Sequence, residues 1–178
     1  EEVRRRSPDE VTADIGRDIN RSVGGIYDQA GGGFARYSVD GEWFAPHFEK
    51  MLYDNAQLLS LYSEAYQVTE NPLFKEVVYQ TVEWLEREML HEEGGFYAAL
   101  DADSEGVEGK FYTWTQPEFE AIAGDQKEFI KDYYNISGSG NWEHGRNILF
   151  VTDAIETVGD RHQLPMAQAK QAVAAFNE

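Results

Sequence analysis

The sequence contains no cysteine, which excludes disulfide bonds, thiolate metal sites and thiol catalysis from this chain. Basic residues are scarce: 15 lysines and arginines stand against 33 acidic residues, so the formal net charge is −18. Because so acidic a surface repels phosphate backbones and anionic lipids, we expect neither nucleic acid nor a membrane as a partner. Long apolar runs are also missing, so we expect no bilayer span and no signal peptide. These absences are compatible with a cytoplasmic location, which we predict.

The composition that remains is typical of a globular protein, with 42% hydrophobic and 13% aromatic residues in a chain of 178. Capping residues and apolar residues at helical spacing predict helices over 7–23, 46–69 and 72–90. We predict that the second and third of these form an antiparallel hairpin, with the second helix the more buried. Asn55 falls in the apolar stripe of that helix, so we expect it to be buried and hydrogen-bonded to loop backbone.

The second half of the chain predicts shorter elements. Residues 96–101 and 110–114 alternate as strands do, and they predict a β-hairpin around the turn 103–106. A capping box at Thr115 and Glu118 predicts a short helix, which Gly124 ends. We further expect a helix over 126–134, a strand over 148–151 and a terminal helix over 165–176.

A loop motif occurs twice. The motif consists of Gly-Gly-Phe, a spacer, and then glycine, any residue and two aromatic residues. It begins at Gly32 and again at Gly94, so the two copies start 62 residues apart. That interval suits one helical hairpin plus its loop, and repeated supersecondary units are typical of solenoids and closed rings. We therefore predict a mainly α fold: residues 1–178 as a single partial (α/α) toroid of about three helical hairpins, with short β-hairpins in the loops.

Polar residues at the start of the 46–69 helix form the first candidate site. In the first helical turn, the helix dipole would hold the imidazole of His47 neutral, so that it could act as a base. Glu49 or Asp54 would be its acidic counterpart. The alternative is that His47, Tyr53 and Asn55 only bond to loop backbone and hold the fold together.

The acidic turn Asp101–Gly106 is the second candidate site. Its alternating oxygen ligands and sixth-position glycine match the first half of a calcium loop, but Tyr112 occupies the twelfth position, where a bidentate glutamate belongs. We therefore favour a solvated acidic turn over a metal site. Five carboxylates could supply a glycosidase pair, namely Asp28, Glu49, Asp101, Asp103 and Glu105. Four aromatic residues in or beside loops could stack on sugar rings or belong to the core, namely Trp43, Tyr97, Trp114 and Trp142.

Three long motifs carry a resemblance to a known family: GGIYDQAGGGFARYSVDGEWFAPHFEKMLYDNAQLL at 24–59, GGFYAALDADSEGVEGKFYTW at 94–114 and GNWEHGRNILFV at 140–151. The chain resembles the thioredoxin-domain-containing family of bacterial YyaL-type proteins and animal spermatogenesis-associated proteins. The resemblance implies the six-hairpin (α/α) toroid of that family, which is similar to N-acylglucosamine 2-epimerases and six-hairpin glycosidases. The family's thioredoxin-like domain is absent from this chain, so no redox function is carried over.

Two functions of different class follow. The first is a carbohydrate-active module, a sugar epimerase or isomerase or a glycosidase-like protein, with no cofactor and a small carbohydrate as its ligand. The second is a non-catalytic binding or scaffold module that partners a thioredoxin-like domain. We also expect self-association through the open edge of a partial ring. For the first function the expected catalytic residues are His47, Asp101 and Asp103, and the expected substrate-binding residues are Arg36, Tyr37, Trp43, Lys50, Asp54 and Trp114.

Overall fold

The computed structural model describes residues 24–177, so the helix predicted over 7–23 lies outside the described residues. Its longest elements are two helices, α1 (Leu52–Thr69) and α2 (Pro72–Trp84), which pack against each other. Asn71 caps α2 as predicted, because its side chain accepts a hydrogen bond from the backbone N–H of Leu73. A π-helical turn, Leu85–Met89, continues α2.

Four short antiparallel ladders connect the loops. They are β1 (Tyr37–Ser38) with β2 (Pro46–His47), β3 (Lys50–Met51) with β4 (Ala99–Leu100), β5 (Asp103–Ser104) with β6 (Val107–Glu108), and β7 (Thr113–Trp114) with β8 (Asn147–Ile148). The ladder between β3 and β4 brings the segment that follows the first glycine-rich loop next to the second loop.

The predicted start of the first long helix is wrong. That helix begins at Leu52 rather than at Pro46, and its N-cap, Met51, has extended backbone and no side-chain cap. Residues 46–51 are extended because β2 and β3 pair with strands from elsewhere in the chain, and these long-range hydrogen bonds outweigh the local helical signal. His47 therefore lies in a strand, and the helix dipole does not act on it.

The predicted β-hairpin exists, but its pairing differs. The strands of the observed hairpin are β5 and β6, with Glu105 and Gly106 at the turn. The flanking segments pair elsewhere: β4 with β3, and β7 with β8. Between them, Lys110–Tyr112 forms a single 3-10 turn instead of a strand. Alternation along 96–114 therefore indicated extended chain correctly but could not identify the partners.

The second half of the chain folds around its own core. The helices are α3 (Gln116–Ile122), α4 (Lys127–Tyr133), α5 (Ile155–Arg161) and α6 (Met166–Asn177). The predicted capping box at Thr115 and Glu118 is confirmed at the start of α3. The largest side chains of this core are aromatic and fully buried: Phe119, Phe129 and Tyr134.

The expectation that α1 is the more buried helix of the hairpin is wrong. Three of the 18 residues of α1 are buried, against four of the 13 residues of α2. Leu52 and Leu59 are only half-buried, whereas Val77 and Leu85 are buried. A mainly helical fold with short β-hairpins is confirmed, and residues 24–177 do not close a ring. Within that range no helix has the length and apolar character needed to cross a bilayer.

Candidate functional site

The extended segment 46–51 separates two sets of side chains. Successive residues of an extended chain point to opposite faces, and the burial follows that rule. Pro46, Phe48 and Lys50 are buried, whereas His47 and Glu49 are half-buried. One face of the segment therefore supports an internal site and the other supports a surface cluster.

Lys50 is the central residue of the internal face. It is 2% exposed, and its ammonium group lies 2.8 Å from the Oδ2 atom of Asp28 and donates to the carbonyl oxygen of Gly32 at 2.8 Å. Asp28 is held in turn, since its Oδ1 atom accepts hydrogen bonds from the backbone N–H groups of Ala30 and Gly31. The buried cation is thus paired and hydrogen-bonded, as a charge inside a protein must be.

Two aromatic rings complete the surroundings of this ammonium group. It lies 4.6 Å from the ring centre of Tyr112 and 5.1 Å from that of Trp84, within the range of a cation–π contact. Burial lowers the pKa of Lys50, and the neighbouring carboxylate of Asp28 opposes that shift. Burial likewise raises the pKa of the Tyr112 phenol.

A cleft of about 380 Å³ opens above this pair. Five aromatic side chains line it, namely Trp84, Phe111, Tyr112, Trp114 and Phe176, and Asp28, Lys50, Arg87 and Glu88 are the charged groups along it. Its volume and its apolar walls with few polar groups are typical of small-molecule sites. Two positive and two negative side chains leave the cleft close to neutral.

Arg87 positions one edge of the cleft. Its guanidinium donates to the carbonyl oxygen of Gly31 at 2.6 Å and pairs with the carboxylate of Glu88 at 2.8 Å. Both residues lie in the π-helical turn that follows α2. Such turns are frequent at functional sites because the extra residue changes which side chains face inward.

The outward face of the extended segment forms a separate surface cluster. The Nδ1 atom of His47 lies 2.8 Å from Oε1 of Glu108, and its ring stacks on that of Tyr37, with ring centres 5.0 Å apart. Arg36 pairs with Glu49 at 3.1 Å. His47 thus contacts the acidic hairpin through Glu108, but it is not among the residues that line the cleft.

The acidic turn itself faces solvent. Asp101 and Asp103 are exposed, and the Oδ1 atom of Asp101 accepts a hydrogen bond from the backbone N–H of Asp103. Glu105 pairs with Lys110. Among residues 24–177 no three acidic or histidine side chains are grouped so that they could hold a metal ion.

Of the other expected ligand contacts, two line the cleft and two do not. Lys50 and Trp114 line it. Trp43 packs against the core beside the α1–α2 hairpin and has a left-handed backbone, with φ of 62°. Asp54 is half-buried near the start of α1. The sequence gives no reason to choose Trp84, Arg87 or Glu88, because they lie on the helix predicted to be the outer one, and Phe111 lies in a segment predicted to be a strand.

Asn55 confirms its structural prediction. It is 0% exposed, its amide nitrogen donates to the carbonyl oxygens of Phe34 and Met51, and its amide oxygen accepts from the backbone N–H of Phe34. One side chain therefore fixes the first Gly-Gly-Phe loop to α1, directly beside the Lys50 site.

No family model matches the chain. Among curated proteins, spermatogenesis-associated protein 20 of Rattus norvegicus is 39% identical in an alignment that covers 79% of this chain and 21% of that protein. The chain is homologous to spermatogenesis-associated protein 20. The Homo sapiens homologue is 34% identical, again with 79% of this chain and 21% of that protein covered. An uncharacterized protein of Caenorhabditis elegans is 37% identical, with 84% of this chain and 24% of that protein covered.

This homologue of spermatogenesis-associated protein 20 thus spans about a fifth to a quarter of the length of the curated relatives that it matches. Among solved structures, a D-mannose isomerase aligns with 96% of this chain and 51% of its own, with a TM-score of 0.45 and 14% sequence identity. At this score and identity the alignment does not define a shared active site.

Proposed function

We propose that the cleft binds a small carbohydrate and that the chain forms part of a sugar epimerase- or isomerase-like protein. The observation that carries this proposal is the cleft itself, with aromatic walls above a buried Lys50–Asp28 pair. Aromatic rings offer flat apolar surfaces to the C–H faces of sugars, and a few polar groups orient the hydroxyls.

In this proposal the charged pair positions the ligand. The carboxylate of Asp28 can accept a hydrogen bond from a sugar hydroxyl, and Arg87 and Glu88 extend the polar edge of the cleft. Trp84 and Trp114 lie on its walls, where a bound ring changes the environment of their indoles. Tryptophan fluorescence is therefore the natural binding signal.

The first experiment is a fluorescence titration of the full-length protein with neutral sugars and sugar acids. Phe111 is 68% exposed and lines the cleft, so Phe111→Ala should weaken sugar binding about tenfold, the value of one aromatic contact of about 1.4 kcal/mol. Tyr79 is 60% exposed on α2 and does not line the cleft, so Tyr79→Ala is the matched control. Equal affinities of the two variants would contradict the assignment of the cleft.

A second experiment tests the reaction. An epimerase or isomerase moves a proton at a carbon atom, so turnover in deuterium oxide places deuterium in the recovered sugar, whereas glycoside hydrolysis does not. We retain His47, with Asp101 and Asp103, as a separate proposal for the acid–base group. His47→Gln should abolish deuterium exchange if that proposal is right and leave it unchanged if His47 only binds the hairpin.

The alternative is a non-catalytic binding or scaffold module. It is favoured by one observation: the ring of His47 is engaged by Glu108 and Tyr37 on a face distinct from the cleft. A scaffold module predicts sugar binding without deuterium exchange, or no sugar binding at all.

A further inference from the structure

The two Gly-Gly-Phe loops close with the same kind of hydrogen bonds, although the first turn is one residue longer than the second. In the first copy the N–H of Asp28 donates to the carbonyl of Gly33, and the residue after the phenylalanine donates to Ile26. In the second copy the N–H of His91 donates to Gly95, and the residue after the phenylalanine donates to Met89. Both glycines of each copy have φ between 77° and 89°.

Equivalent side chains also act alike at the two turns. The Oδ1 atom of Asp28 accepts from the backbone N–H two residues later, at Ala30, and the Nδ1 atom of His91 accepts from the N–H two residues later, at Glu93. Each phenylalanine forms an antiparallel bridge with the residue that precedes the turn, Tyr27 in one copy and Leu90 in the other. The contacts that close each turn are therefore repeated, even though the two turns differ in sequence and, by one residue, in length.

The surroundings of the two turns are opposite. A Cβ atom on Gly33 would lie 2.6 Å from the ring of Trp84, and one on Gly32 would lie 2.6 Å from the carbonyl oxygen of Gln80. The first turn is thus packed tightly on α2. Cβ atoms on Gly94 and Gly95 would meet nothing within 4 Å.

The phenylalanines differ in the same way. Phe34 is 1% exposed, and both of its backbone polar groups bond to the amide of Asn55 on α1. Phe96 is 49% exposed, its neighbour Tyr97 is 51% exposed, and all residues from 92 to 98 are exposed. The positive φ of Gly94 and Gly95 favours glycine at both positions, but no neighbouring atom of residues 24–177 requires it. The two exposed aromatic side chains beside them form an apolar patch.

We propose that the second turn, residues 91–97, is the docking site for a further helical hairpin of the same polypeptide, outside residues 24–177. The first copy defines the chemistry of that hairpin: one helix carries an amide side chain that bonds the backbone of Phe96, and the other lays an aromatic ring on Gly95. This proposal is independent of sugar binding, since none of residues 91–97 lines the cleft.

Two further observations favour a hairpin of the same polypeptide over a second copy of this chain. The relatives are four to five times as long as the aligned region, which covers 21% to 24% of them, so chain for another hairpin exists in proteins of that length. The net charge of −18 adds repulsion between two copies, which weighs against the self-association expected from the sequence. In addition, the α1–α2 hairpin of a second copy is already packed against the first turn of its own chain, so it is not available to pack on residues 91–97.

The test is hydroxyl-radical footprinting of the full-length protein, read by mass spectrometry, with two phenylalanines of the same molecule as references. Phe34 is buried and Phe111 is 68% exposed. We expect Phe96 to be oxidised at a rate close to that of Phe34. Oxidation of Phe96 as fast as that of Phe111 would overturn the proposal.

Photo-crosslinking identifies the occupant. With p-benzoyl-phenylalanine in place of Tyr97 in the full-length protein, we expect an intramolecular crosslink to a peptide outside residues 24–177. A crosslink to a second copy, a crosslink within residues 24–177, or none at all would overturn it.

The melting temperature gives a stability readout. Phe96→Ala should lower the melting temperature of the full-length protein and Phe111→Ala should not. Equal melting temperatures for the two variants would count against the docked state.

Discussion

On the inward face of residues 46–51, Lys50 is 2% exposed and is surrounded by a carboxylate, a carbonyl oxygen and two aromatic rings. On the outward face, only three residues away, the side chain of His47 is 29% exposed and its partner Glu108 is 52% exposed. Both faces hold a contact of 2.8 Å between a basic and an acidic side chain. The difference in burial, and not the distance, determines what each pair contributes, because water screens the outer pair much more than the inner one, whose side chains are 3% and 20% exposed.

The comparison predicts its largest effect at Lys50. Lys50→Met retains most of the side-chain volume but leaves Asp28 and the carbonyl of Gly32 without the cation. Removing one partner of a buried pair costs about 3–5 kcal/mol of unfolding free energy, and we expect the lower end because the side chain of Asp28 is 20% exposed. Chemical denaturation measures this loss, with the exposed Lys75→Met as the control.

A double variant sharpens the same prediction. Asp28→Asn combined with Lys50→Met removes both charges, so it should be more stable than Lys50→Met alone. A loss below about 1 kcal/mol in the single variant would show that Lys50 is not desolvated, and the contrast between the two faces would then disappear.

The contrast also shows why the sequence predicted part of the site and not the rest. His47, Lys50 and Asp54 share one face of a helix, so a helical interpretation of 46–69 placed them together. In an extended chain, residues an odd number apart point to opposite faces, and His47 and Lys50 separate. The ladders that impose the extended form come from β1 and β4, and such long-range pairing is invisible in a local pattern.

Predictions that depend on local rules succeeded. The caps at Asn71 and Thr115 need only neighbouring residues, and both were identified from the sequence. Asn55 was predicted to be buried and bonded to loop backbone because it interrupts an apolar stripe, and the helix does extend through that position. The Asp28–Lys50 pair could not be foreseen, since it requires the first turn to fold back over a strand 22 residues later.

The second prediction concerns Asn55. Asn55→Leu leaves the N–H and carbonyl of Phe34 without their partner inside the protein, and an unsatisfied buried group costs about 1–3 kcal/mol. We expect a loss in this range by thermal or chemical denaturation. Gln57 is an exposed amide on the same helix, so Gln57→Leu is the matched control and should be close to neutral. An unchanged melting temperature for Asn55→Leu would show that the amide is only tolerated.

The third prediction is a pH dependence on the inward face. Burial raises the pKa of Tyr112 above its ordinary value near 10, so the folded state holds this proton more tightly than the unfolded state does. Stability is therefore fully retained below pH 10 and is lost as the pH rises above it. Tyr112→Phe should change stability little at pH 7 and should reduce the loss measured between about pH 10 and 11. Parallel stability profiles for the two proteins would contradict this.

The smallest expected effect belongs to the outward face. His47→Gln removes the contact between the imidazole and Glu108 but keeps a side chain that can donate to that carboxylate, so we expect a loss of at most about 1 kcal/mol. Glu108→Gln should have a similarly small effect, and the double variant gives the coupling between the two side chains.

A loss from His47→Gln as large as that from Lys50→Met would mean that the outer pair is buried in the working protein, as it would be if another part of the polypeptide covered this face. The ring of His47 would then lie in a closed, water-poor environment, which is the setting in which an imidazole acts best as an acid–base group. Measured beside the deuterium-exchange assay, this one variant separates the two roles of His47: a small stability loss with unchanged exchange indicates a hairpin contact, and a small stability loss with abolished exchange indicates chemistry.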